Sequence, residues 1–136
     1  MADFDICIDV NDVDRAVKFY GQGLGLKVVK HEPGWAQLKV GRQTLWIMKI
    51  KAGRDGKITR SYRRHWTPVH LDFVVDDMKS TVRRAIAAGG KLDGKVRDFV
   101  PAIPAGGGGM LGRIANLSDP SGNGVDLVER PKKRSK

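Results

Sequence analysis

Residues 69–90, VHLDFVVDDMKSTVRRAIAAGG, read as a strand, a helix cap, a helix and a stop. From Val69 to Val75 the apolar side chains of Leu71, Phe73 and Val75 alternate with His70, Asp72 and Val74. A period of two is the mark of a strand buried on one face. Asp76 or Asp77 can accept hydrogen bonds from the first free N–H groups of a helix. Met78, Val82, Ala85, Ile86 and Gly89 follow at helical spacing, and Gly89-Gly90 supplies a left-handed stop. His70 therefore stands on the strand face that the helix leaves bare.

A fainter copy of this unit lies 65 residues upstream. At that offset Asp5 matches His70, Ile8 matches Phe73 and Val10 matches Val75. Asp12 then matches Asp77, Val13 matches Met78, Val17 matches Val82 and Gly25 matches Gly90. Cap pairs with cap and apolar with apolar through a whole strand–helix unit, which is the signature of two homologous modules.

In the first module, Phe4–Val10 is expected as a strand and a helix runs from an Asn11 or Asp12 cap to about Gly21. Strands are expected at Leu26–His31, Trp35–Val40 and Gln43–Ile50, separated by Glu32-Pro33-Gly34 and Gly41-Arg42. The second module repeats that order, with strands at Lys91–Val100, Met110–Leu117 and Gly124–Glu129. Its glycine loop, residues 101–109, is longer, and the DPSGN turn at 119–123 is built by Asp119, Pro120 and a left-handed Gly122 or Asn123. These boundaries give one domain over 1–129: module one at 3–51, a polar linker at 52–67 and module two at 68–129. Residues 130–136 are expected to form a basic, disordered tail.

Composition limits the function classes. The chain of 136 residues is 40% hydrophobic and 29% charged, ordinary for one soluble domain. No apolar run approaches the roughly 20 residues that cross a bilayer, and MADFDICIDV has neither the basic start nor the long apolar segment expected of a secretory signal. Cys7 is the single cysteine, which fits a reducing cytoplasm and a small buried thiol in the first strand. Half of the formal net charge of +10 comes from Arg130, Lys132, Lys133, Arg134 and Lys136. The remainder forms no basic stripe interleaved with aromatics, so no specific nucleic-acid partner is expected.

One strand, a helix and three strands make a four-stranded sheet with the helix on one face. Two such modules must pair, and the uncovered faces then enclose a cup. By alternation its lining includes Asp5, Cys7, Asp9, Trp46, Met48, His70, Asp72, Val74, Asp126 and Val128. The expected class is α+β: two paired βαβββ modules forming a cupped mixed sheet with helices on the outer face.

Three segments, ICIDVNDVDRAVKFYGQGLGL, VHLDFVVDDMKSTVRRAIAAGG and GRIANLSDPSGNGVDLVE, resemble the vicinal oxygen chelate superfamily. That superfamily includes glyoxalase I, extradiol dioxygenases, fosfomycin-modifying enzymes and bleomycin-resistance proteins. In its metal-dependent members the first strand of each module supplies a His or similar ligand and the fourth a Glu. The resemblance puts those positions at Asp5, Trp46, His70 and Asp126, of which Trp46 cannot ligate because its indole only donates. It implies a divalent metal (Mn, Fe, Ni or Zn) on Asp5, His70 and Asp126 in a lyase, isomerase or fosfomycin-resistance-like ring-opening transferase. What the resemblance implies first is a glyoxalase/bleomycin-resistance-like protein that binds a small organic ligand in the cup, with enzymatic activity open to it. The metal-dependent enzyme is the alternative, and a non-catalytic protein that sequesters a drug or metabolite is the second. Trp46, Met48, Asp9 and Asp72 are the expected ligand-contacting residues, and Arg113 resembles an arginine near the anionic substrate of some fosfomycin-opening members. A cytoplasmic homodimer is the expected assembly. Tyr62, Arg63 and His65 read as solvated linker, and His31 as a surface strand end.

Overall fold

The computed structural model describes residues 3–55, 58–99 and 112–131. Module one runs β1 (Ile6–Val10), α1 (Val13–Val17), β2 (Lys27–Glu32), β3 (Trp35–Val40) and β4 (Gln43–Lys49). A short hairpin, β5 (Gly53–Asp55) with β6 (Ile58–Arg60), occupies the linker. Module two runs β7 (Leu71–Val74), α2 (Met78–Ala87), β8 (Lys91–Phe99), β9 (Gly112–Ser118) and β10 (Gly124–Glu129). The sheets are separate and have the same order, β1-β4-β3-β2 and β7-β10-β9-β8. In each, the first strand lies parallel to the fourth, and the other pairs are antiparallel. This is the α+β duplication that the 65-residue offset implies. The tail beyond Pro131 and the glycine loop lie outside the described residues.

The repeat survives at the level of single residues. Asp12 and Asp77 are both the N-caps, accepting from Arg15 N at 3.0 Å and Ser80 N at 3.1 Å. Val13 and Met78 are both the first helical residues, and both are buried. Asp5 and His70 both stand one residue before their strands, which begin later than the alternation predicts. The first helix departs from its copy. After one turn it widens into π-type turns over Lys18–Gly23, with Leu24 N donating to Phe19 O at 3.0 Å, five residues back. That widening turns both Phe19 and Tyr20 inward, and each is fully buried.

The two helical segments pack on each other and join the halves into one core. Phe19, Tyr20, Phe73, Met78 and Ala85 belong to a single cluster with strand residues from both sheets. Gly90, a terminator by sequence, also makes room: a Cβ there would lie 2.4 Å from Phe19 Cε2. The left-handed stop itself is Gly89, at φ +99.

The DPSGN turn is a second joint. Asp119 accepts from Ser121 N and Asn123 N within the turn, and its other oxygen takes the buried Tyr20 hydroxyl at 2.8 Å. Ser121 Oγ bonds Asn11 Oδ1 at 2.8 Å, and Asn123 Nδ2 donates to Asp9 O at 3.1 Å. The turn thus also fixes module two to the β1–α1 corner of module one. Among the described residues no helix is long and apolar enough to cross a membrane.

Candidate functional site

Strand register places the chemistry. On the sheet face opposite α2, directly opposed residues run across four strands as Asp72, Asp126, Asn116 and Asp93. Parallel neighbours stand about 4.8 Å apart, so Asp72 and Asp126 share one patch of surface. His70 leans into it: its Nε2 is 3.3 Å from Asp72 Oδ1 and 3.3 Å from Asp126 Oδ2. One ligand atom from each of the three residues lies within 4.8 Å of the others. Donors about 2.1 Å from a first-row ion stand about 3.0–3.4 Å apart in octahedral or tetrahedral geometry, so the two short spacings fit an imidazole–dicarboxylate centre.

Trp66 is the wall beside this patch. Its ring meets the His70 ring edge-on at 5.6 Å, and the Arg64 guanidinium lies over it at 4.4 Å from the centroid. Asp93 holds Arg64 in turn, accepting from its Nε at 2.9 Å. The ring rests on β10 at Gly124, where a Cβ would come 2.5 Å from Trp66 Cε3.

A cleft of about 880 Å³ opens on the other side of His70, between the edges of β1 and β7. Ile6, Ile8 and Leu71 give it apolar walls, and residues 60–65 with Thr67 roof it. The roof is pinned on both sides, contrary to a freely solvated linker. Tyr62 Oη donates to Ile50 O at 2.5 Å, and Arg60 Nε donates to Asp9 Oδ2 at 2.5 Å. His65 exchanges backbone bonds with the DPSGN turn, at 3.0 Å to Gly122 O and 3.1 Å from Gly124 N. Partial cover raises the Tyr62 hydroxyl above its usual pKa, Asp9 adding to the effect and Arg60 opposing it.

A family profile described as a glyoxalase-like domain matches residues 5–128. The chain belongs to that family. Its superfamily is the vicinal oxygen chelate group that the sequence resembles. Within the glyoxalase-like family and its surroundings, similar solved structures include a glyoxalase-related enzyme from Fulvimarina pelagi, with a TM-score of 0.66 and 19% identity over 95% of this chain and 89% of that one. A glyoxalase/bleomycin resistance protein/dioxygenase from Alicyclobacillus acidocaldarius gives a TM-score of 0.60 at 19% identity, covering 94% and 90%. The anthracycline biosynthesis protein DnrV of Streptomyces peucetius is 29% identical over 120 residues. That match covers 86% of this chain but 37% of DnrV, so the chain spans little more than a third of that relative's length.

The glyoxalase-like fold sorts the expected site residues into three places. His70 and Asp126 come together, and Asp72, expected to touch ligand, lies with them as the second carboxylate of the cluster. Asp5 stands with module one instead, accepting from Trp46 Nε1 at 2.9 Å. Trp46 also packs against Trp35 at 5.9 Å, on the same open face as Met48. Asp9 is committed to Arg60 in the cleft. Arg113 belongs to the helix side: its Nε and Nη2 donate to Glu129 Oε1 at 3.0 and 2.8 Å. The buried Glu129 also accepts from Met78 N at 2.5 Å, so this pair caps α2 and does not line the His70 face.

Two features were not legible beforehand. Cys7, expected buried, is exposed on the bare face, although partial cover of its sulfur and the nearby Asp9 raise its pKa against the opposing pull of Arg60. Asn116 lies beside Asp126 because β9 and β10 pair in that register, and no local motif marks it.

Proposed function

We propose that this glyoxalase-like protein binds a small organic ligand at a divalent cation held by His70, Asp72 and Asp126. The observation that carries this is the spacing of one imidazole nitrogen and two carboxylate oxygens on a single exposed face. Two carboxylates and an imidazole suit Mn, Fe, Ni or Zn and leave positions for ligand oxygens. When bound, such a cation supplies Lewis-acid polarisation of a ligand oxygen, the chemistry of a lyase, an isomerase or a ring-opening transferase. The chain's own residues orient the ligand. Trp66 walls the cation site, and the apolar cleft on the far side of His70 accepts the ligand's carbon body. The resemblance to an anthracycline biosynthesis protein supports an organic ligand over a macromolecular one. The homodimer expected from the family is part of this proposal, because both sheets keep one open face.

The test is titration of the metal-stripped full chain with Co²⁺, read by visible absorption, followed by elemental analysis. Wild type is expected to take up one ion per chain, and His70→Ala or Asp126→Ala none. Equal uptake by wild type and His70→Ala would overturn the assignment. Asp5→Ala is expected to keep wild-type uptake. A loss as complete as in His70→Ala would instead place Asp5 of a second copy beside the ion. A metal-free reading draws on the apolar cleft: organic ligands that raise Tm equally with and without chelator would favour it.

A further inference from the structure

A chain of polar contacts crosses the bare face of module two behind the proposed cation site. Arg97 Nη1 donates to Asn116 Oδ1, and Asn116 Nδ2 donates to Asp126 Oδ1. The other carboxylate oxygen, Asp126 Oδ2, is the one 3.3 Å from His70 Nε2. We propose that Asn116, oriented by Arg97, is a positioning residue that occupies one oxygen of Asp126 and leaves the other as a single-atom ligand. This rests on the cation reading above, and it assigns the site residues that the family resemblance does not.

The chemistry of the three groups makes the order of the chain unambiguous. A guanidinium has donors only, and an ionised carboxylate has acceptors only. A primary amide is the side chain that offers an acceptor to one and a donor to the other. Because Arg97 occupies the oxygen end, the NH₂ end must face Asp126, which decides the orientation of the amide. Register supplies the reach, since Asn116 and Asp126 are directly opposed on β9 and β10. Arg97 comes from β8, where the ladder shifts between Asp93 and Arg97 and brings its longer side chain alongside. Asp126 is nearly buried, with its side chain 8% exposed, so its rotation is decided by these partners rather than by solvent.

Partners of this kind orient metal ligands, and removing one typically weakens metal affinity about 10- to 100-fold. Bidentate capture of a cation by Asp126 would compete with the Asn116 bond for Oδ1. The amide therefore biases the site toward three single-atom donors with the remaining positions open.

The experiment uses the full-length, metal-stripped chain and Co²⁺ alone, comparing wild type, Asp126→Asn, Asn116→Leu, Asn116→Ala and Arg97→Met. Visible bands report coordination, and circular dichroism with thermal melting reports the fold. Asn116→Leu and Asn116→Ala are expected to lose about 10- to 100-fold in Co²⁺ affinity and to shift the bands while remaining folded. Arg97→Met is expected to weaken binding less, and it keeps the test available if both Asn116 variants unfold. Wild-type affinity and bands in the Asn116 variants, with binding lost in Asp126→Asn, would overturn the positioning role and leave the cation site standing. If wild type takes up no Co²⁺, or Asp126→Asn matches it, the cation reading fails and the role of Asn116 falls with it.

Discussion

Across the open face of the first sheet the directly opposed residues are Cys7, Trp46, Gln37 and Lys30. Across the second they are Asp72, Asp126, Asn116 and Asp93. The positions are equivalent: Asp5 and His70 precede the first strands, and Trp46 and Asp126 occupy the same place on the fourth. The first face satisfies itself. Trp46 donates to Asp5 and packs on Trp35, over which the Lys30 ammonium sits at 5.5 Å from the centroid. The second face sets two carboxylates, Asp72 and Asp126, against the His70 imidazole, while Arg64 holds Asp93 and Arg97 holds Asn116 farther along the same face. Duplication of a backbone thus preserves where side chains stand, whereas the chemistry diverged to one half.

The largest effect should come from exchanging the halves' contributions. His70→Ala is expected to abolish Co²⁺ uptake while its counterpart Asp5→Ala leaves it intact, as measured by the titration above. Uptake lost in both would make the first face a ligand donor and end the contrast.

The next contrast is between the glycines related by the offset. Gly90→Ala pushes a Cβ into Phe19, 2.4 Å from Cε2, and within 3.0 Å of the Ala85 carbonyl oxygen, so about 1–3 kcal/mol of stability should be lost. Gly25→Ala meets no atom within 4 Å and is opposed only by φ +78, for which about 1–2 kcal/mol is expected. Urea unfolding of both variants distinguishes a packing role from a conformational one.

A third contrast concerns the hairpin turns. Among the described residues, the module-one turn at Gly41-Arg42 makes no bond of the kind that joins Asp119 to Tyr20. Tyr20→Phe leaves that buried carboxylate one donor short and should cost about 1–2 kcal/mol. The same variant has a pH signature. Burial first, then the Asp119 charge and the hydrogen bond, hold the Tyr20 hydroxyl protonated well above its usual pKa of 10.0. The folded pKa is raised, so this stabilisation is complete below about pH 10 and declines above it, as tyrosine ionises in the unfolded chain. Wild type should lose up to about 1.4 kcal/mol per pH unit more than Tyr20→Phe in that alkaline window. Parallel stability profiles would show that Tyr20 ionises freely.

The smallest expected effect is Trp46→Phe, which removes one exposed hydrogen bond to Asp5. About 0.5–1 kcal/mol of stability should go, with Co²⁺ affinity unchanged. A change in affinity would tie the first face to the site.

Local chemistry written along the chain was enough for the elements and their duplication. Caps at Asp12 and Asp77, strand alternation and the turn residues act over a few positions, and so does the parity that put His70, Asp72 and Asp126 on one bare face. Linear spacing could not say which carboxylate would share His70, because that depends on strand order and register. Only the packed structure set Asp5 against Trp46, turned Arg113 to the helix side with Glu129, exposed Cys7 and set Asn116 against Asp126. Those outcomes depend on hydrogen-bonded neighbours far apart in sequence, whose pairing no local pattern encodes. Parity assigns a face; register and the packing between modules decide the company each side chain keeps on it.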